Sequence, residues 1–215
     1  MKKLVIFDLD GTLLNTIADL AHSTNYALNK LGYPTHEIEK YNFMVGNGID
    51  KLFERALPEE EKSKENVLRV RKEFVPYYDI HNADDSRPYP GIPELLSYLQ
   101  DAGVQIAVAS NKYQAATQKL VDHYFPEIHF TAVFGQREGV KVKPDPIIVS
   151  DILEVAKVAK EEVLYVGDSG VDMQTAANAG VTACGVTWGF RPRTELEEFN
   201  PSYIADTAGE IKKLI

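Results

Sequence analysis

The run Leu4-Val5-Ile6-Phe7 empties directly into Asp8-Leu9-Asp10-Gly11-Thr12, and this junction constrains the fold more than any other segment. Four consecutive apolar residues cannot alternate between core and solvent. They predict a strand buried on both faces, as in a parallel sheet covered by helices. Such sheets bind ligands beyond the carboxyl ends of their strands. Asp8 and Asp10 fall at that edge, where a carboxylate stays hydrated or meets a cation. Gly11 allows the sharp turn that follows, because it has no Cβ to clash.

Four further apolar runs, at 105–109, 131–134, 163–166 and 181–186, read as strands. Helical patterns at 92–100, 114–124 and 146–158 separate them, and shorter helices at 194–198 and 208–214 finish the chain. Strands alternating with helices imply right-handed crossovers and a doubly wound, Rossmann-like parallel sheet of the α/β class. The stretch 16–87 breaks this rhythm, with helices but no convincing strand. Ile17, Leu20, Ala21, Thr24, Leu28 and Leu31 follow amphipathic helical spacing. A second helix is expected over 48–57 and a third over 59–78, where Val67, Val70, Phe74 and Tyr78 form the buried stripe. The polar segment 81–88 reads as a return linker. The expected organisation is therefore an α/β core formed by 1–15 and 88–215, with an all-helical domain, 16–87, inserted over the first strand's carboxyl end.

The charge balance narrows the partners. Asp and Glu total 32 against 23 Lys and Arg, a net charge of -9. No basic field exists to attract nucleic acid or an anionic membrane, so neither is expected as a partner. An anionic substrate must instead be neutralised locally, by a metal or a few placed cations. Cys184 is the single cysteine, so no internal disulfide forms, and its apolar neighbours mark it as a core residue. The apolar run before Asp8 is too short for a signal-peptide core, and nothing reaches the length of a membrane span. A reducing cytoplasm and a monomer or homodimer are the expectations.

Three other strand ends carry polar chemistry. Ser110 and Asn111 offer a hydroxyl and an amide to phosphate oxygens. Lys143 precedes Pro144-Asp145-Pro146, which stiffens the backbone and could fix an ammonium, although Lys141 is a rival two residues away. Gly167-Asp168-Ser169-Gly170-Val171-Asp172 contains a capping box in Ser169 and Asp172 that leaves Asp168 unexplained. A parallel sheet gathers these ends on one edge. Carboxylates so gathered repel unless a cation binds, and hard oxygen ligands suit Mg²⁺. A magnesium site facing a phosphate site is the expectation.

These residues resemble the haloacid dehalogenase superfamily along essentially the whole chain. Asp8-Leu9-Asp10-Gly11-Thr12 resembles its first motif, Ser110 its second, Lys143-Pro144 its third, and Gly167-Asp168 through Asp172 its fourth. The helical insert resembles the cap of the subgroup that carries it between the first two motifs. Within that subgroup, Gly46-Asn47-Gly48, the opening Asp10 to Thr16, and Thr187-Trp188-Gly189-Phe190 resemble the phosphoglycolate phosphatases. The resemblance implies Mg²⁺-dependent hydrolysis of a small phosphorylated metabolite through an aspartyl-phosphate on Asp8. Asp10 would act as acid and base, and its backbone carbonyl would ligate the metal with Asp8 and Asp168. Asp172 would stand just outside. Thr12, Ser110, Asn111, Lys143 and the cap residues Gly46, Asn47 and Gly48 would bind phosphate or substrate. His22, Lys51 and Arg55 are candidates for a substrate carboxylate. Alternatives on the same scaffold are a sugar-phosphate phosphatase, a phosphomutase, a pyrophosphatase, or a phosphate-sensing module without turnover.

Overall fold

The computed structural model describes residues 1–215. In chain order the elements are β1 (Leu4–Phe7), β2 (Leu14–Asn15), α1 (Ile17–Lys30), α2 (Ile49–Ala56), α3 (Lys64–His81), β3 (Arg87–Pro88), α4 (Ile92–Asp101), β4 (Gln105–Tyr113), α5 (Gln114–Tyr124) and β5 (Ala132–Gln136). They continue with α6 (Ile147–Ala156), β6 (Val163–Gly167), α7 (Gly170–Ala179), β7 (Thr182–Val186), α8 (Arg193–Glu198), β8 (Tyr203–Ala205) and α9 (Ala208–Ile211). Six strands form one parallel sheet in the order β5-β4-β1-β6-β7-β8.

β1 sits in the middle with all four side chains fully buried. Val5 and Phe7 face one layer, which includes Ile92, Leu96 and Leu99 of α4. Leu4 and Ile6 face the other, with Ile152 of α6 and Met173 of α7. Burying such a side chain contributes at most about 1.5–3 kcal/mol. The alternation of faces along one apolar strand is the period-2 pleat, and it explains the continuous run.

Two-layer coverage makes the sheet of the Rossmann-like α/β class expected from the sequence. Three features were not legible there. β8 is a three-residue edge strand with only Ala205 buried. β2 and β3 form a two-residue antiparallel pair where the chain leaves and re-enters the core. A 3₁₀ helix, Ile38–Phe43, lies between α1 and α2. The third helix also begins later than expected. Pro58 is followed by a separate 3₁₀ turn, Glu59–Glu61, and α3 starts only after Ser63, whose hydroxyl accepts the Asn66 N–H.

The helical insert is packed around Leu20 and Leu28 of α1, Phe53 of α2, and Val70, Phe74 and Tyr78 of α3, and this cluster extends to Ala116 of α5. Its attachment is fixed by Asp19. That buried carboxylate accepts the N–H groups of Asp85 and Ser86 at 2.9 and 2.8 Å and the Ser86 hydroxyl at 2.6 Å.

Candidate active site

The strand ends and the insert together enclose a cavity of about 60 Å³. Asp8, Asp10, Ser110, Lys112, Lys143 and Asp168 line its sheet side, and Leu20, Ile49, Leu52 and Phe74 close it from the insert.

Lys143 is the hub. Its ammonium donates to Asp8 Oδ1 at 2.9 Å, Asp172 Oδ1 at 2.8 Å and the Ala109 carbonyl at 2.9 Å, which engages all three N–H bonds. Burial alone would lower its pKa, but Asp172 and Asp8 outweigh burial and hold it well above the usual lysine value. Lys141, the rival in the sequence, lies largely in solvent beside Asp145.

Asp8 Oδ1 also accepts the Leu9 N–H at 2.7 Å, whereas Oδ2 accepts no hydrogen bond. Burial, then Asp172, pushes the Asp8 pKa up to about 7 against the pull of Lys143. Asp168 is raised well above the carboxylate range, by burial first and then by Asp172 and Asp8. Its Oδ2 accepts the Phe190 N–H at 2.7 Å. Gly11, at φ 88°, and Gly189 pack so tightly on Asp168 that a Cβ on either would overlap its carboxylate.

The donor set fits a divalent cation. Asp8, Asp168 and Asp172 bring carboxylate oxygens within 4.8 Å of one another, all buried. With all four carboxylates ionised, Asp8, Asp10, Asp168 and Asp172 around the Lys112 and Lys143 ammoniums leave two negative charges, the complement of one such ion. Asp172 is already saturated. Oδ1 takes Lys143 and the Tyr165 hydroxyl, and Oδ2 takes the Ser169 N–H at 3.2 Å and hydroxyl at 2.6 Å. It therefore orients its neighbours while capping α7.

Asp10 has two partners that the sequence did not single out. Its Oδ1 accepts the Thr16 hydroxyl at 2.6 Å and pairs with Lys112 Nζ at 3.0 Å. The Lys112 ammonium is also 4.8 Å from the centroid of the Tyr78 ring. The available signal for Lys112 was its spacing two residues beyond Ser110, which puts both on one face of an extended strand. Ending that strand at Ala109 hid it.

Other expected residues are placed differently. Thr12 does not line the cavity, because the Gly11 turn directs its hydroxyl toward Asp168 Oδ1, 3.5 Å away. Asn111 lines the cavity, and its side-chain amide donates to the Gly46 and Lys143 carbonyls and accepts the Lys143 N–H. Ser110, fully buried, accepts the Lys112 N–H at 3.1 Å and keeps its hydroxyl proton free. Gly46 and Gly48 line the cavity with positive φ, but Asn47 turns away to accept from Arg55. His22, Lys51 and Arg55 do not line it at all. His22 lies 3.4 Å from Asp85, Lys51 pairs with Glu54, and Arg55 donates to the Met44 carbonyl. Arg191, unremarked in the sequence, lines it and donates to the carbonyls of Asn42 and Val45. Burial pushes the Cys184 thiol up to about 12, consistent with a core residue.

The family described as Haloacid dehalogenase-like hydrolase matches residues 5–186 of this chain. The chain belongs to that family. Phosphoglycolate phosphatase of Vibrio parahaemolyticus is 32% identical over 218 residues, spanning 99% of this chain and 96% of the relative. Phosphoglycolate phosphatase of Mesorhizobium japonicum is 32% identical over 205 residues, 94% of this chain and 90% of the relative. A crystal structure from Lactobacillus delbrueckii subsp. bulgaricus, provisionally named a phosphoglycolate phosphatase, superposes with a TM-score of 0.93 at 34% identity. It covers 100% of this chain and 99% of that one. The chain is thus a haloacid dehalogenase-like hydrolase of the phosphatase type. No helix in it is long and apolar enough to cross a membrane.

Proposed function

We propose that this hydrolase cleaves small phosphate monoesters, with 2-phosphoglycolate as the substrate, through a phosphoryl group carried on Asp8. The observation that carries the reading is the Asp8 carboxylate. Lys143 and the Leu9 N–H hold one oxygen, the other accepts no hydrogen bond, and the residue lines the cavity. A carboxylate fixed in this way is a positioned nucleophile. The names of the relatives supply the substrate.

Asp8 Oδ2 would attack phosphorus while the bond to the leaving oxygen breaks. Asp10, oriented by Thr16, would deliver a proton to that oxygen and then take one from the water that hydrolyses the aspartyl-phosphate. The Ser110 hydroxyl would donate to a phosphoryl oxygen, and Lys143 would neutralise charge between Asp8 and the group in transfer. Asp8, the Asp10 carbonyl and Asp168 would hold a magnesium ion, which supplies further charge stabilisation at the phosphoryl oxygens. The helical insert, 16–87, would act as a cap that admits substrate and excludes water when closed. The chain, with a single buried thiol and no disulfide, would work in the cytoplasm.

The test is turnover of 2-phosphoglycolate with magnesium. Asp8→Asn should abolish it, and rapid quenching of the wild-type enzyme should show one phosphoryl group on the protein by intact mass. Normal turnover in Asp8→Asn, or activity indifferent to a chelator, would refute the reading.

A further inference from the structure

Three cations line the cavity, and they are not equivalent. Lys143 has every N–H engaged by Asp8, Asp172 and the Ala109 carbonyl. Arg191 is turned to the carbonyls of Asn42 and Val45 and lies 3.5 Å from Glu195, so its guanidinium serves the loop of the insert. Lys112 is different. Its side chain is 4% exposed, and its ammonium has one ion-pair partner, Asp10, plus the face of Tyr78. No protein acceptor other than Asp10 meets this ammonium, although the side chain is almost wholly buried. A buried ammonium is costly unless it is paired and hydrogen-bonded. Orienting Asp10 does not require it, since Thr16 already holds the same oxygen at 2.6 Å. Tyr78, on the cavity wall, adds a fully buried hydroxyl with no hydrogen-bond partner.

We propose that Lys112 is the specificity-determining residue of this site, taking the carboxylate of the leaving group in phosphate monoesters of short 2-hydroxy acids. The proposal rests on the phosphatase reading above and extends it from phosphate to the rest of the substrate. The ester oxygen must sit within hydrogen-bond reach of Asp10 to receive its proton. Lys112 Nζ is 3.0 Å from that same carboxylate, so a group two bonds beyond the ester oxygen falls beside the ammonium. A carboxylate at that place completes the ion pair that Asp10 makes in the empty enzyme. Asp10, retained by Thr16, is then released for proton transfer. A neutral hydroxymethyl group there would leave Lys112 on Asp10.

The experiment compares kcat/KM for 2-phosphoglycolate and for 2-hydroxyethyl phosphate, its uncharged counterpart, in the wild type, Lys112→Met and Lys112→Arg. A charge-assisted hydrogen bond in a buried site corresponds to roughly a 10- to 100-fold effect. The wild type should prefer phosphoglycolate, Lys112→Met should lower that preference by this factor with a raised KM for phosphoglycolate, and Lys112→Arg should restore much of it. A preference unchanged in Lys112→Met, even with both rates reduced together, would assign the lysine to Asp10 alone and overturn the proposal. Should the Met variant fail to fold by circular dichroism, Lys112→Gln is read in the same way. Equal wild-type turnover of the two esters overturns the carboxylate assignment and leaves the phosphatase standing. Failure to hydrolyse these esters and p-nitrophenyl phosphate would overturn both.

Discussion

At the scale of single residues, the site is held by charges that would be intolerable alone. Removing the Lys143 ammonium leaves Asp8 and Asp172 buried and uncompensated, so Lys143→Met should cost about 3–5 kcal/mol in urea denaturation as well as turnover. Lys141→Ala, at an exposed position, should leave both unchanged. The same crowding sets a pH dependence. Asp8, pushed up to about 7, keeps its proton in the folded, metal-free protein while the unfolded chain, with an ordinary carboxylate, has already lost it. The folded state then binds more protons, and stability falls as pH rises from about 4 to about 7. Asp168 acts in the same direction. A divalent cation binds the ionised forms, so the thermal stabilisation given by magnesium should grow across that window and level off above it. Melting curves with and without magnesium chloride between pH 5 and 8 check this. Stabilisation that shrinks toward pH 8 would contradict it. Gly189→Ala forces a Cβ into Asp168 and the Gly11 carbonyl, and should weaken both magnesium binding and folding in parallel titrations.

At the scale of elements, the positions of the site residues follow from how strands end and helices begin. α7 starts with a capping box in which Asp172 both caps the helix and fixes Lys143, so one residue ties backbone geometry to the charge hub. α1 anchors the insert through Asp19, whose three accepted hydrogen bonds define the return of the chain at Asp85 and Ser86. Asp19→Ala should cost about 1.5–3 kcal/mol. Hydrogen exchange should report it as faster exchange at the Asp85 and Ser86 amides. The sequence made β1 and β6 readable because both are apolar throughout, and it made the strand-end carboxylates readable because they interrupt those runs. Asp19 was opaque, since a carboxylate in the first turn of a helix is explained by the helix dipole alone. Lys112 was opaque because β4 continues through a bulge to Tyr113, and nothing local marks where a strand crosses from core to cavity. β8 was opaque because three residues with one buried carry almost no periodic signal.

At the scale of the whole molecule, the insert meets the core at the end of α3, where Asp79 accepts the Tyr113 hydroxyl, and at the loop 42–48. Arg191 grips the Asn42 and Val45 carbonyls, and Asn111 donates to the Gly46 carbonyl at 3.0 Å. Arg191→Ala removes the longer reach of the two. It should raise KM more than it lowers kcat and speed amide exchange in that loop, and protection identical to wild type would show that the loop is held by other means. The topology has one more effect. β1 is made first yet pairs with β4 and β6, so Leu4 waits for Gln105 and then Val163 before it is flanked on both sides. The helical segment between them draws all but Ala116 of its buried cluster from its own helices and waits less. During synthesis on the ribosome the most apolar strand therefore stays an open edge until Val163 has been translated, so chains stalled before it should be the ones that aggregate or engage chaperones.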